Sequence, residues 1–204
     1  MILSNMENGL KQVKRSLLEN VELHTMLADS YAVKVDLIGT AVRKCLQSGN
    51  TVFFAGNGGS AAEASHIAAE YVGRFKKERR GLPSVALTAD LSAITAIGND
   101  YGFEHIFDQQ IEALGSEGDV LILLSTSGNS QNLIEAAQKA KTLNLTVISL
   151  LGKDGGRLRG VSDIEIIIPS NDTARIQEAH LTILHIVCEL SDEDAHDGLA
   201  RVIG

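Results

Sequence analysis

Two strand-like segments of this chain end in loops of small and hydroxylated residues, and this arrangement constrains the fold most. The apolar run 51–55 leads into Gly56-Asn57-Gly58-Gly59-Ser60, and the run 119–124 leads into Ser125-Thr126-Ser127-Gly128-Asn129-Ser130. A helical pattern follows each loop. Such a turn leaves backbone N–H groups unpaired at a helix N-terminus, where the helix dipole also favours an anion. Two such turns at the carboxyl edge of one parallel sheet predict a site for a small phosphorylated ligand, such as a sugar phosphate.

The chain from residue 51 onward alternates strand and helix patterns. Strands are predicted at 51–55, 84–88, 119–124, 145–151 and 163–168, and helices near 60–74, 91–98, 104–114, 130–142 and 172–190. The strands are apolar throughout, as buried parallel strands are. Right-handed crossovers then predict an α/β fold with a doubly wound, flavodoxin-like sheet of five parallel strands.

The residues before the first strand are predicted to form an N-terminal helical hairpin between about Met6 and Gln47. Its first helix carries apolar residues on one face, and its second continues the pattern: Leu10, Val13, Leu17, Leu18 and Val21, then Ala32, Val35, Leu37, Ile38, Ala41, Val42 and Leu46. One sheet edge cannot bury both apolar faces, so a partner subunit is expected to cover the remainder.

The chain is predicted to be a single domain over 1–204. Residues 1–50 supply helices for oligomer packing, 51–190 form the α/β core and the final helix, and 191–204 form a polar tail that is loose at its end. The formal net charge is −8, which argues against a nucleic-acid partner.

Other sequence features are predicted to be structurally ordinary. The basic segment 74–80 is interpreted as a solvated loop, with phosphate steering as the alternative. Cys45 and Cys188 are too few and too far apart for a disulfide framework or a thiolate zinc site, so both are expected to be reduced packing residues. The absence of a signal-peptide pattern and of any stretch of transmembrane length predicts a cytoplasmic protein with no membrane association.

The loop 125–130 is predicted to bind phosphate. It supplies four hydroxyl groups within six residues, more than an ordinary helix cap needs, and Gly128 allows close approach of the backbone. It has neither the lysine nor the spacing of a P-loop. The loop 56–59 lacks the third glycine of a dinucleotide-binding fingerprint.

Two helices carry candidate metal ligands. His66 and Glu70 are four residues apart and share a helical face, which suits either a common metal ion or an ordinary i,i+4 pair. In the final helix, Gln177 and His185 are separated by roughly 12 Å along the axis and about 80° around it. Spacing alone therefore does not make them a metal site. His180 is as good a candidate by position, and a packed core histidine is the default for either.

At these residues the chain resembles the sugar isomerase (SIS) domain superfamily and, within it, the phosphoheptose isomerase family. The resemblance extends from the N-terminal helices to about Leu190. It rests on both loops and on the following motifs: His66 with Glu70, Val72-Gly73-Arg74, Gly98-Asn99-Asp100-Tyr101-Gly102-Phe103, Gly152-Lys153-Asp154-Gly155-Gly156, and Arg175-Ile176-Gln177-Glu178 with His185. The combination of His66, Glu70, Gln177 and His185 is the most specific part of it.

The resemblance implies an aldose–ketose isomerase. The family converts sedoheptulose 7-phosphate to D-glycero-D-manno-heptose 7-phosphate, the first step toward the nucleotide-activated heptose of bacterial surface polysaccharides such as lipopolysaccharide. Its members are cytoplasmic homotetramers with one zinc ion per subunit. The implied zinc ligands are His66, Glu70, Gln177 and His185, and the implied substrate contacts are Asn57, Gly58, Gly59, Asn99, Asp100, Ser125, Thr126, Ser127, Ser130 and Gln177, with Ser60 as an additional phosphate contact.

The chemistry of isomerisation then assigns roles to two of these residues. A base must take a carbon-bound proton and an acid must serve the oxygen, and we expect Glu70 to be the base and His185 the acid. Ala174 stands where some members carry an acidic residue. Two alternatives remain: a non-catalytic SIS-domain binding protein of the type that associates with the replication initiator, and an isomerase of another ketose phosphate.

Overall fold

The structure, a computed structural model, describes the backbone of residues 2–199 and the side chains of residues 8–192. Its helices are α1 (Ile2–Gln47), α2 (Gly59–Val72), α3 (Leu91–Asp100), α4 (Asp108–Leu114), α5 (Gln131–Thr142) and α6 (Thr173–Leu199). Its strands are β1 (Val52–Gly56), β2 (Ser84–Ala86), β3 (Val120–Ser125), β4 (Thr146–Gly152) and β5 (Ile164–Ile168). Short 3-10 helices lie at Phe103–His105 and Gly156–Leu158. None of the described helices is both long and apolar enough to cross a membrane.

The five strands form one parallel sheet in the order β2-β1-β3-β4-β5. This order confirms the predicted doubly wound sheet. Every residue of β1 and β3 is buried, because helices cover both faces of the sheet. The two strands are neighbours at the point where the chain reverses its direction across the sheet, with Gly56 in register with Leu124. The two loops that follow them therefore lie side by side.

The core consists of two apolar layers, one on each face of the sheet. Alternate residues of β3 point into different layers, with Ile122 and Leu124 packing on the side of α1, α2 and α6. Leu121 and Leu123 pack on the side of α4 and α5. The two cysteines are buried and free, as predicted. The α1, α2 and α6 layer positions the site, because it contains the two helices that carry the candidate metal ligands.

The predicted N-terminal hairpin is wrong, because residues 2–47 form the single helix α1. No proline lies in this segment, and Leu23 and Leu27 carry a buried face across the region where a turn was expected. The N-terminal half of α1 meets α6 through polar groups: Asn20 Nδ2 donates to Glu178 Oε2 at 2.6 Å, and His24 Nε2 lies 2.9 Å from Thr182 Oγ1. The apolar face predicted for this half points away from α6.

The final helix, predicted near 172–190, extends into the segment predicted as a polar tail. Helix α6 continues to Leu199, and Ser191 and Asp192 are buried. Ser191 Oγ lies 3.2 Å from the hydroxyl of Tyr71, and Asp192 forms an ion pair with Arg79. These partners belong to another part of the chain, so the local acidic composition gave no sign of them. The side chains from residue 193 onward and the backbone of residues 200–204 lie outside the described residues.

Candidate active site

The two loops meet through a reciprocal amide contact. Asn57 Nδ2 donates to Asn132 Oδ1 at 3.0 Å, and Asn132 Nδ2 donates to Asn57 Oδ1 at 2.9 Å. Asn132 lies in the first turn of α5, so this contact ties the loop after β1 to the helix that follows the loop after β3. A surface pocket opens beside the contact and is lined by Asn57, Phe103, Glu104, Ser130, Gln131 and Asn132.

The serine-rich loop is held in shape by its own hydroxyl groups. Ser125 Oγ accepts a hydrogen bond from Gly128 N at 3.0 Å, and Ser127 Oγ accepts one from Asn129 N at 3.2 Å. Gly128 has φ +64°, and a Cβ atom there would collide with the carbonyl oxygen of Gly155. Ser130 precedes α5 and makes no side-chain capping bond. The loop is therefore a tight, hydroxyl-rich turn that leads directly into a helix N-terminus, which is the kind of segment expected of a phosphate site.

The glycine-rich loop brings Gln177 to the start of α2. Helix α2 begins at Gly59, directly after Gly58 with φ +58°. A Cβ atom on Gly59 would meet the side-chain amide of Gln177, so the end of the Gln177 side chain lies directly against the backbone at the start of α2. Ser60 is buried in the first turn of α2. Gln177 therefore lies among the predicted substrate contacts of this loop.

Seven residues further along α2, two histidines from different helices face one another. His66 Nε2 lies 3.0 Å from His185 Nε2, and the two rings meet edge to face with centroids 5.2 Å apart. Glu70 Oε1 lies 3.6 Å from His66 Nε2, as the i,i+4 spacing predicts. Three of the four predicted metal ligands are thus brought together, while the described contact of the fourth, Gln177, is with Gly59 at the other end of α2.

The surroundings of His185 favour its neutral form. Partial burial lowers its pKa, and electrostatic interactions with His66 and Lys76 lower it further, against the opposing effect of Glu70. The ring of Phe75 stacks on the imidazole with an interplanar angle of 13° and a centroid separation of 5.4 Å. A neutral imidazole is the form of histidine that binds a metal.

The donor types at this position fit zinc. Imidazole nitrogen and carboxylate oxygen are ordinary zinc ligands, and two nitrogens on one tetrahedral ion stand about 3.3 Å apart, close to the separation of the two Nε2 atoms. Among the described side chains, however, His, Cys, Asp and Glu alone form no group of three that could hold a metal ion. The fit to zinc therefore rests on the two facing imidazoles and on the donor types of Glu70 and Gln177, which would complete the set.

The comparisons with known proteins identify the family of this chain. The SIS domain family matches residues 8–152. A phosphoheptose isomerase from Aquifex aeolicus is 48% identical over 184 residues, which cover 90% of this chain and 96% of that protein. The chain belongs to the phosphoheptose isomerase family. Among solved structures, the phosphoheptose isomerase of Francisella tularensis aligns with a TM-score of 0.88 at 36% identity, covering 91% of this chain and 99% of that one. The enzyme from Neisseria gonorrhoeae aligns with a TM-score of 0.83 at 40% identity, covering 90% and 98%.

Two other candidates from the phosphoheptose isomerase resemblance, Asn99 and Asp100, form the last turn of α3. Both are exposed, and Asn99 Nδ2 donates to Asp100 Oδ1 at 2.8 Å. His180, in contrast, is a core residue. It is fully buried, its Nε2 lies 3.1 Å from the carbonyl oxygen of Leu151, and burial lowers its pKa to about 4. The structure therefore separates His180 from the histidine pair.

Sequence reasoning missed Glu63, which lies on α2 between the glycine-rich loop and His66. It is 9% exposed, and neither of its buried carboxylate oxygens has a hydrogen-bond partner. Burial raises its pKa to about 7, although Ser60 opposes the shift. A single acidic residue in a helical pattern gives no sequence signal that its side chain is buried, because the position faces inward only once α2 has packed.

Sequence reasoning also misjudged the basic segment 74–80. Lys76, Lys77 and Arg80 are exposed, as a solvated loop requires, but Arg79 is buried. The prediction of a wholly solvated loop is therefore wrong at Arg79. The burial of Arg79 could not be found from sequence, because Asp192, the carboxylate that pairs with Arg79, is 113 residues away.

Proposed function

We propose that this chain converts sedoheptulose 7-phosphate to D-glycero-D-manno-heptose 7-phosphate as a zinc-dependent aldose–ketose isomerase. The observation that carries the proposal is the meeting of His66, Glu70 and His185 on the same molecule as a serine-rich turn at the sheet edge. Membership of the family supports the reaction, and its product would enter nucleotide-activated heptose synthesis for bacterial surface polysaccharide. The same membership supports a cytoplasmic location.

The phosphate group of the substrate is assigned to the two adjacent loops. The turn after β3 would receive it through Ser125, Thr126, Ser127 and Ser130 and through the N-terminus of α5. The turn after β1 would hold the sugar through Asn57, Gly58 and Gly59, with Gln177, Asn99 and Asp100 as further contacts, and Ser60 would be an additional phosphate contact. Both loops belong to adjacent strands, so they fix the two ends of one ligand relative to each other.

Zinc would be held by His66, Glu70, Gln177 and His185. When bound, it would polarise the sugar carbonyl and orient the substrate. With its Nε2 directed at the zinc, the ring proton of neutral His185 would lie on Nδ1. The carboxylate of Glu70 has two oxygens, so one remains able to accept a proton while the other serves as a ligand.

Proton transfer then needs only these two side chains. Glu70 would take the proton from C1 of the ketose while neutral His185 would give its ring proton to the oxygen on C2 and become the imidazolate, and the product of the step is an enediol. Glu70 returns its proton to C2, and the hydroxyl on C1 returns a proton to His185 as the aldehyde forms. Both side chains end in their original protonation states, so the cycle is balanced.

The protein is proposed to act as a homotetramer. The apolar face of the N-terminal half of α1 is uncovered in the single chain, with Leu10, Val13, Leu17, Leu18 and Val21 between 55% and 67% exposed. A continuous apolar face of this kind on a soluble protein marks an interface. A second copy of the chain would cover it.

The experiment that tests this function is an assay of the purified protein with sedoheptulose 7-phosphate, with zinc, after chelation and after zinc is restored. We expect turnover that is lost with the metal and recovered with it. A panel that includes hexulose phosphates identifies an isomerase of another ketose phosphate. Absence of both bound zinc and zinc-restored turnover would contradict the proposal and favour a non-catalytic binding protein.

A further inference from the structure

The segment between α2 and β2 is anchored by a buried ion pair. Arg79 Nε donates to Asp192 Oδ1 at 2.6 Å, and both side chains are only 1% exposed. Taking two charges out of water is expensive, and a buried pair of this kind often adds little net stability compared with apolar side chains. The structural role of this ion pair therefore lies in the segments that it holds in place.

The remaining donors of Arg79 fix the C-terminal end of α2. Nη2 donates to the carbonyl oxygen of Glu70 at 2.9 Å, and Nη1 donates to those of Tyr71 and Gly73 at 3.0 and 3.1 Å. The last carbonyl groups of a helix have no N–H partner within it, and they form the negative end of its dipole. One guanidinium group thus caps α2 at the residue proposed as the catalytic base.

Asp192 connects the same group to α6 and to the segment before Arg79. Its Oδ2 accepts hydrogen bonds from the backbone N–H groups of Lys76 and Lys77 at 2.8 and 3.1 Å. The residue before Lys76 is Phe75, whose ring stacks on His185. Asp192 also lies two helical turns beyond His185 on α6. The ion pair therefore fixes Phe75 against the proposed catalytic acid.

We infer that Arg79 and Asp192 are a pair of positioning residues that set the orientation of His185 relative to His66 and Glu70. The inference rests on the proposed function for its catalytic consequence, but not for its structural one. Arg79 holds the end of the helix that carries the base, and Asp192 holds the helix that carries the acid. No other contact described here joins the end of α2, the Phe75 segment and α6 through one pair of side chains.

The test compares Arg79→Lys with Arg80→Lys, the same substitution at the exposed neighbouring position. Lysine keeps the charge but cannot cap α2 and bind Asp192 in the same fork geometry. The first measurement is the ring-proton chemical shifts of His185 in the zinc-free protein, at a pH where the ring is neutral. His185→Gln identifies the resonance by its loss, and Phe75→Leu gives the shift without the stacked ring.

We expect Arg79→Lys to move the His185 resonance toward its position in Phe75→Leu, while Arg80→Lys leaves it unchanged. In the zinc-loaded protein, we expect kcat of Arg79→Lys to fall by up to about 10²-fold with little change in KM, as for misplacement of a catalytic group by about 1 Å. Asp192→Asn should move the His185 resonance in the same direction and should also lower kcat.

Leu145→Ala separates positioning from a general loss of stability. Leu145 is 4% exposed in the opposite apolar layer, so its truncation destabilises the fold without touching α2 or α6. An unchanged His185 resonance in Arg79→Lys, or an equal movement of it in Leu145→Ala, would overturn the inference. A wild-type protein without isomerase activity would refute the proposed function alone, because the resonance still reports whether Arg79 positions His185.

Discussion

The Nε2 atoms of His66 and His185 lie 3.0 Å apart, although 119 residues separate them in the sequence. One histidine is on α2, the first helix after the N-terminal helix, and the other is on α6, the last helix. Both helices pack in the same apolar layer on one face of the sheet. Ala64 and Ile67 of α2 and Leu184 and Cys188 of α6 are buried in this layer. The close packing of small and apolar side chains thus brings two distant polar groups to one point.

Glu70→Gln tests the proposed base. The amide is isosteric with the carboxylate but cannot accept the C1 proton at neutral pH, so we expect turnover to become undetectable. Binding of sedoheptulose 7-phosphate should survive, since the phosphate contacts belong to the two loops. Turnover is measured by product formation and binding by calorimetry. Near-normal turnover would refute the role of Glu70, whereas Glu117→Gln, at an exposed position before β3, serves as a control for the substitution itself.

Gly128→Ala tests the tight turn proposed to bind phosphate. Alanine there requires a positive φ and places its Cβ against the carbonyl oxygen of Gly155, so the loop must move. We expect a loss of stability of about 1–3 kcal/mol and a large increase in KM. Thermal unfolding and steady-state kinetics measure the two effects.

Gly9→Ala is the matched control for that substitution. Gly9 lies in the exposed part of α1, and its Cβ would meet no atom within 4 Å. Alanine in a helix interior is favoured over glycine by about 1 kcal/mol, so this variant should be slightly more stable and fully active. Equal KM values for Gly9→Ala and Gly128→Ala would show that the turn does not depend on Gly128.

The sheet could be predicted from sequence because its signals are local. The apolar run predicted at 119–124 was found as β3 over Val120–Ser125, and the loop residues after it follow directly from strand and helix patterns. The pairing of β1 with β3 follows from the alternation of elements, and it brings Asn57 next to Asn132. Neither step needs knowledge of a distant side chain.

The features that could not be predicted all depend on tertiary partners. The continuity of α1 depends on whether Leu23 and Leu27 find a surface to pack against, which the apolar pattern alone does not decide. Asp192 resembles its acidic neighbours until Arg79 is placed beside it. The convergence of His185 with His66 was implied by the family resemblance and not by spacing, because side-chain spacing on one helix says nothing about the position of another.

Leu17→Glu tests the proposed oligomer. Leu17 is 63% exposed in the single chain, so a charge there costs little in a monomer but would be buried in an interface. We expect dissociation of the assembly at micromolar protein concentration, measured by sedimentation velocity. Gln12→Glu adds the same charge at an exposed position of α1 on another side of the helix and should leave assembly intact. An unchanged assembly in Leu17→Glu would show that this face is not the interface.

The buried imidazole of His180 predicts a pH dependence of stability. Burial lowers its pKa from the ordinary value of 6.5 to about 4, although the contact with Leu151 opposes the shift. The unfolded chain therefore binds a proton between pH 6.5 and about 4 while the folded chain does not, and folding loses stability as the pH falls through this window. The depression corresponds to about 3 kcal/mol between the two limits. His180→Gln, which keeps a donor for the Leu151 carbonyl group, should lose this dependence.

The measurement is the difference in the free energy of unfolding between wild type and His180→Gln, at several pH values and one protein concentration. The difference is needed because Glu63, with its pKa raised to about 7, destabilises the fold as the pH rises from 4.5 to 7 and so opposes His180. His105→Gln provides a control of opposite sign: its hydrogen bond with Asp108 raises the pKa of His105, so its contribution is present at low pH and fades as the pH rises. A difference between wild type and His180→Gln that does not change with pH would mean that His180 is charged, or reached by water, in the folded protein.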